Sequence, residues 1–142
     1  MNINELYKEI IIDHGTNPRN YKILTSSNYK YKGFNPICGD SIHIYINIKN
    51  NIINNISFQG KGCAISIASA SIMTEEFINK YINQAINLYN VFQKCLNNDS
   101  DIIINEKLRA LSTIKNFPSR IKCATLAWYT FKTAIKNKNL NE

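Results

Sequence analysis

No stretch of this 142-residue sequence approaches the roughly 18 consecutive apolar residues that a membrane-spanning helix needs. The segment Met1 to Asp13 lacks the apolar centre of a secretion signal and carries Glu5, Glu9 and Asp13. The chain is therefore expected to be cytoplasmic, with no membrane partner. Runs of charge are missing as well. Seventeen Lys and Arg against ten Asp and Glu leave a formal charge of +7, but the lysines are scattered and no Arg-rich stripe forms. Stripes and runs, not totals, mark nucleic-acid faces, so no nucleic-acid partner is expected. Internal repeats and linker-like segments are absent, and the length suits one domain, taken as residues 1–142. A charged fraction of 19% and an apolar fraction of 44% fit a globular chain that can build a core without disulfide staples.

The alternation of Ile42, Ile44, Ile46 and Ile48 with polar neighbours predicts a strand over 41–49 with one buried face. Asn50-Asn51 supplies a tight turn, because Asn tolerates positive φ. A returning strand over 52–59 completes an antiparallel hairpin. Residues 20–37 read as irregular or edge strand, with Tyr29, Tyr31 and Gly33 alternating with Lys30 and Lys32. The spacing of Ile3, Leu6 and Ile10 predicts a helix over 3–14, stopped at Gly15. Beyond Gly62 the chain reads as helical. Ala64 to Met73 is small and apolar, and Thr74 with Glu75 and Glu76 reads as the cap of a further helical segment. Helices follow over 83–96, 102–114 and 121–135, with Pro118 as a break and the Asn-rich stretch 97–101 as a turn. The economical class is α+β.

There is no CxxC…CxxC pattern, so spacing alone does not reveal a zinc ribbon. Four cysteines in a reducing compartment remain open as metal ligands, reactive thiols or small core residues. Three stand beside structural punctuation. Cys38 lies in Asn-Pro-Ile-Cys-Gly-Asp, Cys63 follows Gly-Lys-Gly, and Cys123 lies near the start of the last helix. Helix N-termini favour thiolate over thiol, and Lys61, Arg120 and Lys122 add positive charge nearby, so all three are expected to lean towards thiolate. Gly39 allows Cys38 and Asp40 to point at one centre. Three thiolates and a carboxylate form a four-ligand set that zinc accepts, as does iron in a cluster, and the hard carboxylate should exchange most readily. Cys95, mid-helix, reads as structural. His43 on the polar face of a strand carries no assigned role, and His14 is open between a structural role and contact with the site or a partner.

The ordered pieces Leu-Tyr-Lys-Glu-Ile-Ile-Ile-Asp-His, Asn-Pro-Arg-Asn, Asn-Pro-Ile-Cys-Gly-Asp, Phe-Gln-Gly-Lys-Gly-Cys-Ala-Ile-Ser, Ala-Ser-Ala-Ser-Ile-Met-Thr and Phe-Pro-Ser-Arg-Ile-Lys-Cys-Ala-Thr-Leu-Ala-Trp run through nearly the whole chain. Together they make it resemble the SufU/IscU family, whose fold also forms the N-terminal domain of NifU. Lys122 stands before Cys123 where the IscU type has His, and the IscU chaperone segment Leu-Pro-Pro-Val-Lys is absent. The 60 positions from Cys63 to Cys123 are similar to the longer spacing of the SufU branch. The resemblance implies a short three-stranded antiparallel sheet packed by several helices, with the site at one tip. It implies zinc held by Cys38, Asp40, Cys63 and Cys123, and Cys38 as the residue that accepts persulfide sulfur from a SufS-type cysteine desulfurase. Downstream SUF assembly components would receive the sulfur. Arg120 and Lys122, with Lys61 in support, would steady the thiolate or touch the partner. The alternative implied by IscU-type members is a scaffold that builds an iron–sulfur cluster, such as [2Fe-2S], on the same residues.

Overall fold

The computed structural model of the chain describes residues 2–97 and 105–141. Its elements run α1 (Ile3–Thr16), β1 (Tyr29–Asn35), β2 (Asp40–Lys49), β3 (Ile52–Lys61), α2 (Ala64–Phe77), α3 (Ile82–Asn97), α4 (Glu106–Ser112) and α5 (Ile121–Asn141). Two short 3-10 turns, Thr113–Asn116 and Pro118–Arg120, join α4 to α5.

The isoleucine alternation holds through Ile46, while Ile48, past a register shift at Asn47, is only partly buried. Ile42, Ile44 and Ile46 are fully buried on one face of β2, beside Ile53, Ile56 and Phe58 of β3. The sheet is antiparallel in the order β1-β2-β3. Asn50 and Asn51 both take positive φ, 55° and 64°, at the β2–β3 turn. The edge-strand reading of 20–37 resolves into β1, whose Tyr31 pairs with Ile44 and whose Asn35 pairs with Asp40.

Helix α2 is buried almost all round, which marks a helix inside the fold rather than on it. Its small residues let α5 approach. Trp128 of α5 meets Phe77 edge-on at 5.2 Å and Phe92 of α3 at 4.4 Å, and Phe131 meets Phe77 at 4.6 Å. Each buried hydroxyl of α2 finds a different neighbour. Ser69 Oγ donates to the Ala124 carbonyl at 2.5 Å and accepts the Trp128 indole N–H at 2.9 Å. Ser71 Oγ accepts the Arg19 backbone N–H at 2.8 Å and lies 2.7 Å from His14 Nδ1. Thr74 Oγ1 accepts from Asn20 at 3.0 Å.

Two expectations are corrected. Thr74 does not cap a new segment: α2 runs through it to Phe77, and its hydroxyl donates back to the Ser71 carbonyl at 2.7 Å. Gly15 does not stop α1, which continues to Thr16. A Cβ there would come within 3.0 Å of the Ala64 carbonyl oxygen, so the glycine serves the close approach of α1 to the start of α2. The Asn-rich turn over 97–101 and the start of the expected 102–114 helix fall on 98–104, outside the described residues; the remainder of that helix is the shorter α4. Among the described residues no helix is long and apolar enough to cross a membrane.

Candidate metal centre

Four elements converge at one end of the sheet. β2 begins there at Asp40 while β3 ends at Lys61, and α2 and α5 both start nearby. Cys38 sits in the turn between β1 and β2. That turn closes with the Gly39 N–H donating to the Asn35 carbonyl at 2.8 Å and requires φ of +76° at Gly39, a left-handed conformation that glycine adopts without penalty. Asp40 then opens β2 with its side chain buried. Cys63 is the N-cap residue of α2, and Cys123 is the third residue of α5.

One atom each from Cys38, Asp40 and Cys123 lie within 4.8 Å of one another. The Cys38 and Cys123 sulfurs are 3.8 Å apart. Cys38 Sγ is 3.0 Å from Asp40 Oδ2, and Cys63 Sγ lies 3.9 Å from the same oxygen. The Cys38–Cys123 separation fits a metal: a tetrahedron with zinc–sulfur bonds of about 2.3 Å has edges of about 3.8 Å. Cys63 stands beside this three-residue group, reaching it through Asp40 Oδ2. Cys38 is exposed, Cys63 is intermediate and Cys123 is buried, so the site opens to solvent at Cys38.

The electrostatics are uneven. Burial is the largest influence on Asp40 and pushes its pKa up, but hydrogen bonds from Ser66, Cys38, the Cys63 backbone N–H and Cys123 together hold it below the usual carboxylate range. Burial likewise opposes ionisation of Cys63, yet the Ser66 hydroxyl and backbone N–H, aided by Cys123, bring its thiol down. Cys123 goes the other way. Burial, then the neighbouring Cys63 and Cys38 sulfurs, push it up to about 12. The expectation that all three cysteines lean towards thiolate therefore fails at Cys123. It lies inside the core edge among other sulfurs, and the charge of Lys122 faces solvent.

Lys61, Arg120 and Lys122 are all exposed around the site. Among the described residues none of them hydrogen-bonds or ion-pairs with a site side chain, so the structure does not bring them into it. Cys95 is buried in α3 and is not part of the Cys38–Asp40–Cys123 group. His43 is exposed on the outer face of β2, stacked on Tyr45 with ring centroids 6.4 Å apart. His14 is buried between α1 and α2, which fits the structural role and leaves it no surface for a partner. The sequence reading passed over Ser66, whose hydroxyl donates to Asp40 Oδ2 at 2.5 Å. The signal was there in the serines that recur through an otherwise apolar α2.

Among the described residues, a three-stranded sheet packed with five α-helices, with Cys38, Asp40 and Cys123 brought together at one end and Cys63 beside them, defines a small α+β protein with a candidate cysteine–carboxylate site. The sequence matches the NifU-like N terminal domain over residues 6–140, and the chain belongs to that family. It is similar to the zinc-dependent sulfurtransferase SufU of Bacillus subtilis strain 168, at 36% identity over 94% of this chain and 92% of that protein. It is also similar to the iron-sulfur cluster assembly scaffold protein IscU of Streptococcus pyogenes serotype M1, at 35% identity over 94% of this chain and 85% of that one. A crystal structure assigned as an iron-sulfur cluster assembly scaffold protein for the SUF system, from Fervidobacterium islandicum AW-1, superposes with a TM-score of 0.84. It shares 27% identity, over 92% of this chain and 97% of that one.

Proposed function

We propose that the chain is a sulfur acceptor in iron–sulfur cluster assembly, with zinc bound by Cys38, Asp40, Cys63 and Cys123. The observation that carries this reading is the convergence of the Cys38, Asp40 and Cys123 donor atoms within 4.8 Å, with the Cys63 sulfur set against the same carboxylate oxygen. The relationship to the B. subtilis zinc-dependent sulfurtransferase supports it. Bound zinc would hold the cysteines as thiolates at neutral pH, including Cys123, whose own environment resists ionisation.

Cys38 is the acceptor in this reading because it alone of the three is exposed. Its thiolate attacks the outer sulfur of a persulfide carried by a cysteine desulfurase. A sulfur–sulfur bond forms at Cys38 while the bond to the desulfurase cysteine breaks, and that cysteine leaves as a thiolate. No external oxidant or reductant enters, because the sulfur moves with its oxidation state unchanged. Asp40 is the hard donor among soft ones and the ligand best suited to give way when the partner docks. Lys61, Arg120 and Lys122, exposed and within three residues of a site cysteine in the sequence, can meet an acidic face of the desulfurase.

The test is transfer of sulfur from a SufS-type desulfurase supplied with cysteine, read by intact mass. The wild-type chain gains one sulfur per molecule. Cys38→Ala falls to background while still folding cooperatively, with lower stability because part of the zinc contribution is lost. Undiminished sulfur uptake by Cys38→Ala would refute the assignment. The same donor set also accepts iron, and the related IscU scaffold of S. pyogenes keeps a cluster-building reading in view.

A further inference from the structure

Ser66 lies in the first turn of α2, one turn beyond Cys63, and is fully buried. Its hydroxyl donates to Asp40 Oδ2 at 2.5 Å and lies 3.6 Å from Cys63 Sγ. Oδ2 is the oxygen that faces the sulfurs, 3.0 Å from Cys38 and 3.9 Å from Cys63. The other oxygen, Oδ1, accepts the Cys63 backbone N–H at 3.1 Å. On that side the chain passes so close that a Cβ on Gly62 would come within 3.0 Å of Oδ1 and 3.1 Å of both Cγ and the Ser66 Cβ. The carboxylate is wedged between Gly62 and Ser66, with a hydrogen bond on each oxygen.

A carboxylate oxygen has two lone-pair directions. Ser66 takes one on Oδ2, which leaves one aimed at the sulfurs. Oδ1 is tied to the backbone. Oδ2 is therefore the oxygen that Asp40 presents among the sulfurs, in one direction. We propose that Ser66 is the positioning residue that holds Asp40 as a single-oxygen ligand aimed at the sulfurs, an inference that rests on the zinc reading above.

The test is a double-mutant cycle on the full chain, with zinc affinity measured by competition against a chromophoric chelator. Cobalt(II) substitution adds a spectroscopic readout of the ligand set. Removing a hydrogen-bond partner of a ligand typically costs 10–100-fold in metal affinity, so Ser66→Ala is expected to raise the zinc Kd by about that factor and to shift the cobalt ligand-field bands. Ser66→Thr keeps the hydroxyl and is expected to restore both. In the Asp40→Ala background, Ser66→Ala is expected to change the Kd by less than about twofold, because its route to the metal is gone. The same loss in both backgrounds would overturn the proposal, since Ser66 would then act through Cys63 or through the fold. An unchanged Kd and spectrum in Ser66→Ala would overturn it too. A wild-type chain that binds no zinc would bring down the zinc reading and this proposal together, and that result appears before any variant is made.

Discussion

Among single residues, His14 has the most constrained protonation away from the tip. Ser71 Oγ already accepts the Arg19 backbone N–H, so its proton is free to go to His14 Nδ1, 2.7 Å away. That leaves the histidine proton on Nε2, facing Glu75 at 3.6 Å. Burial lowers the His14 pKa from its ordinary 6.5, and the cations Arg19 and Lys107 push the same way against Glu75 and Asp13. The folded state thus prefers neutral histidine. Stability from this source is complete above the ordinary value and drains away as pH falls through the lowered one. His14→Asn keeps a hydrogen-bonding group near the Nδ1 position but cannot titrate. We expect it to cost about 1–2 kcal/mol at pH 7, and to flatten the decline in denaturant midpoint between neutral and mildly acid pH. An undiminished decline would show that other groups set the acid response.

At the scale of elements, α2 organises both the core and the tip. One helix sends Ser69 to α5, Ser71 to α1 and Ser66 to β2, each through a buried hydroxyl. The residue just before it, Cys63, and the glycine before that complete the cradle of Asp40. Gly62→Ala places a methyl group against that carboxylate and the Ser66 Cβ. We expect the variant to fold cooperatively, with stability within about 1–3 kcal/mol of wild type, and to lose most of its metal affinity. Metal binding at the wild-type level would mean that the cradle is softer than its contacts imply.

The elements differ in how plainly the sequence announces them. The β2–β3 hairpin is legible because Ile42, Ile44 and Ile46 alternate without exception and the Asn50-Asn51 turn follows. β1 is faint because its alternation sets Tyr29, Tyr31 and Gly33 against lysines, a pattern an irregular edge can also show. Local propensity reads Thr74-Glu75-Glu76 as a beginning, whereas tertiary burial of the Thr74 hydroxyl lets α2 pass through. No spacing rule places Cys38 beside Cys123, 85 positions away. Their partnership became legible through the ordered family motifs, and the raised pKa of Cys123 became legible only once its burial was known.

For the whole molecule, the fold brings together side chains from the β1–β2 turn, β2, the start of α2 and the start of α5, and leaves Cys38 as the exposed member. Such a site ties metal binding to folding. A ligand that binds only the folded chain stabilises it by about 4 kcal/mol at a thousand times its Kd. Stripping the metal with a chelator is therefore expected to lower the thermal midpoint and zinc to restore it, with no such response in Cys123→Ala. An equal midpoint with and without metal would place the metal outside the folded core.

The most direct measurement is the metal and acid-labile sulfide content of the chain purified without oxygen or added metal. The proposed function predicts about one zinc per chain, with neither iron nor sulfide. Iron and sulfide in matching amounts, with zinc absent, would contradict it and recast Cys38, Asp40, Cys63 and Cys123 as the cradle of a cluster.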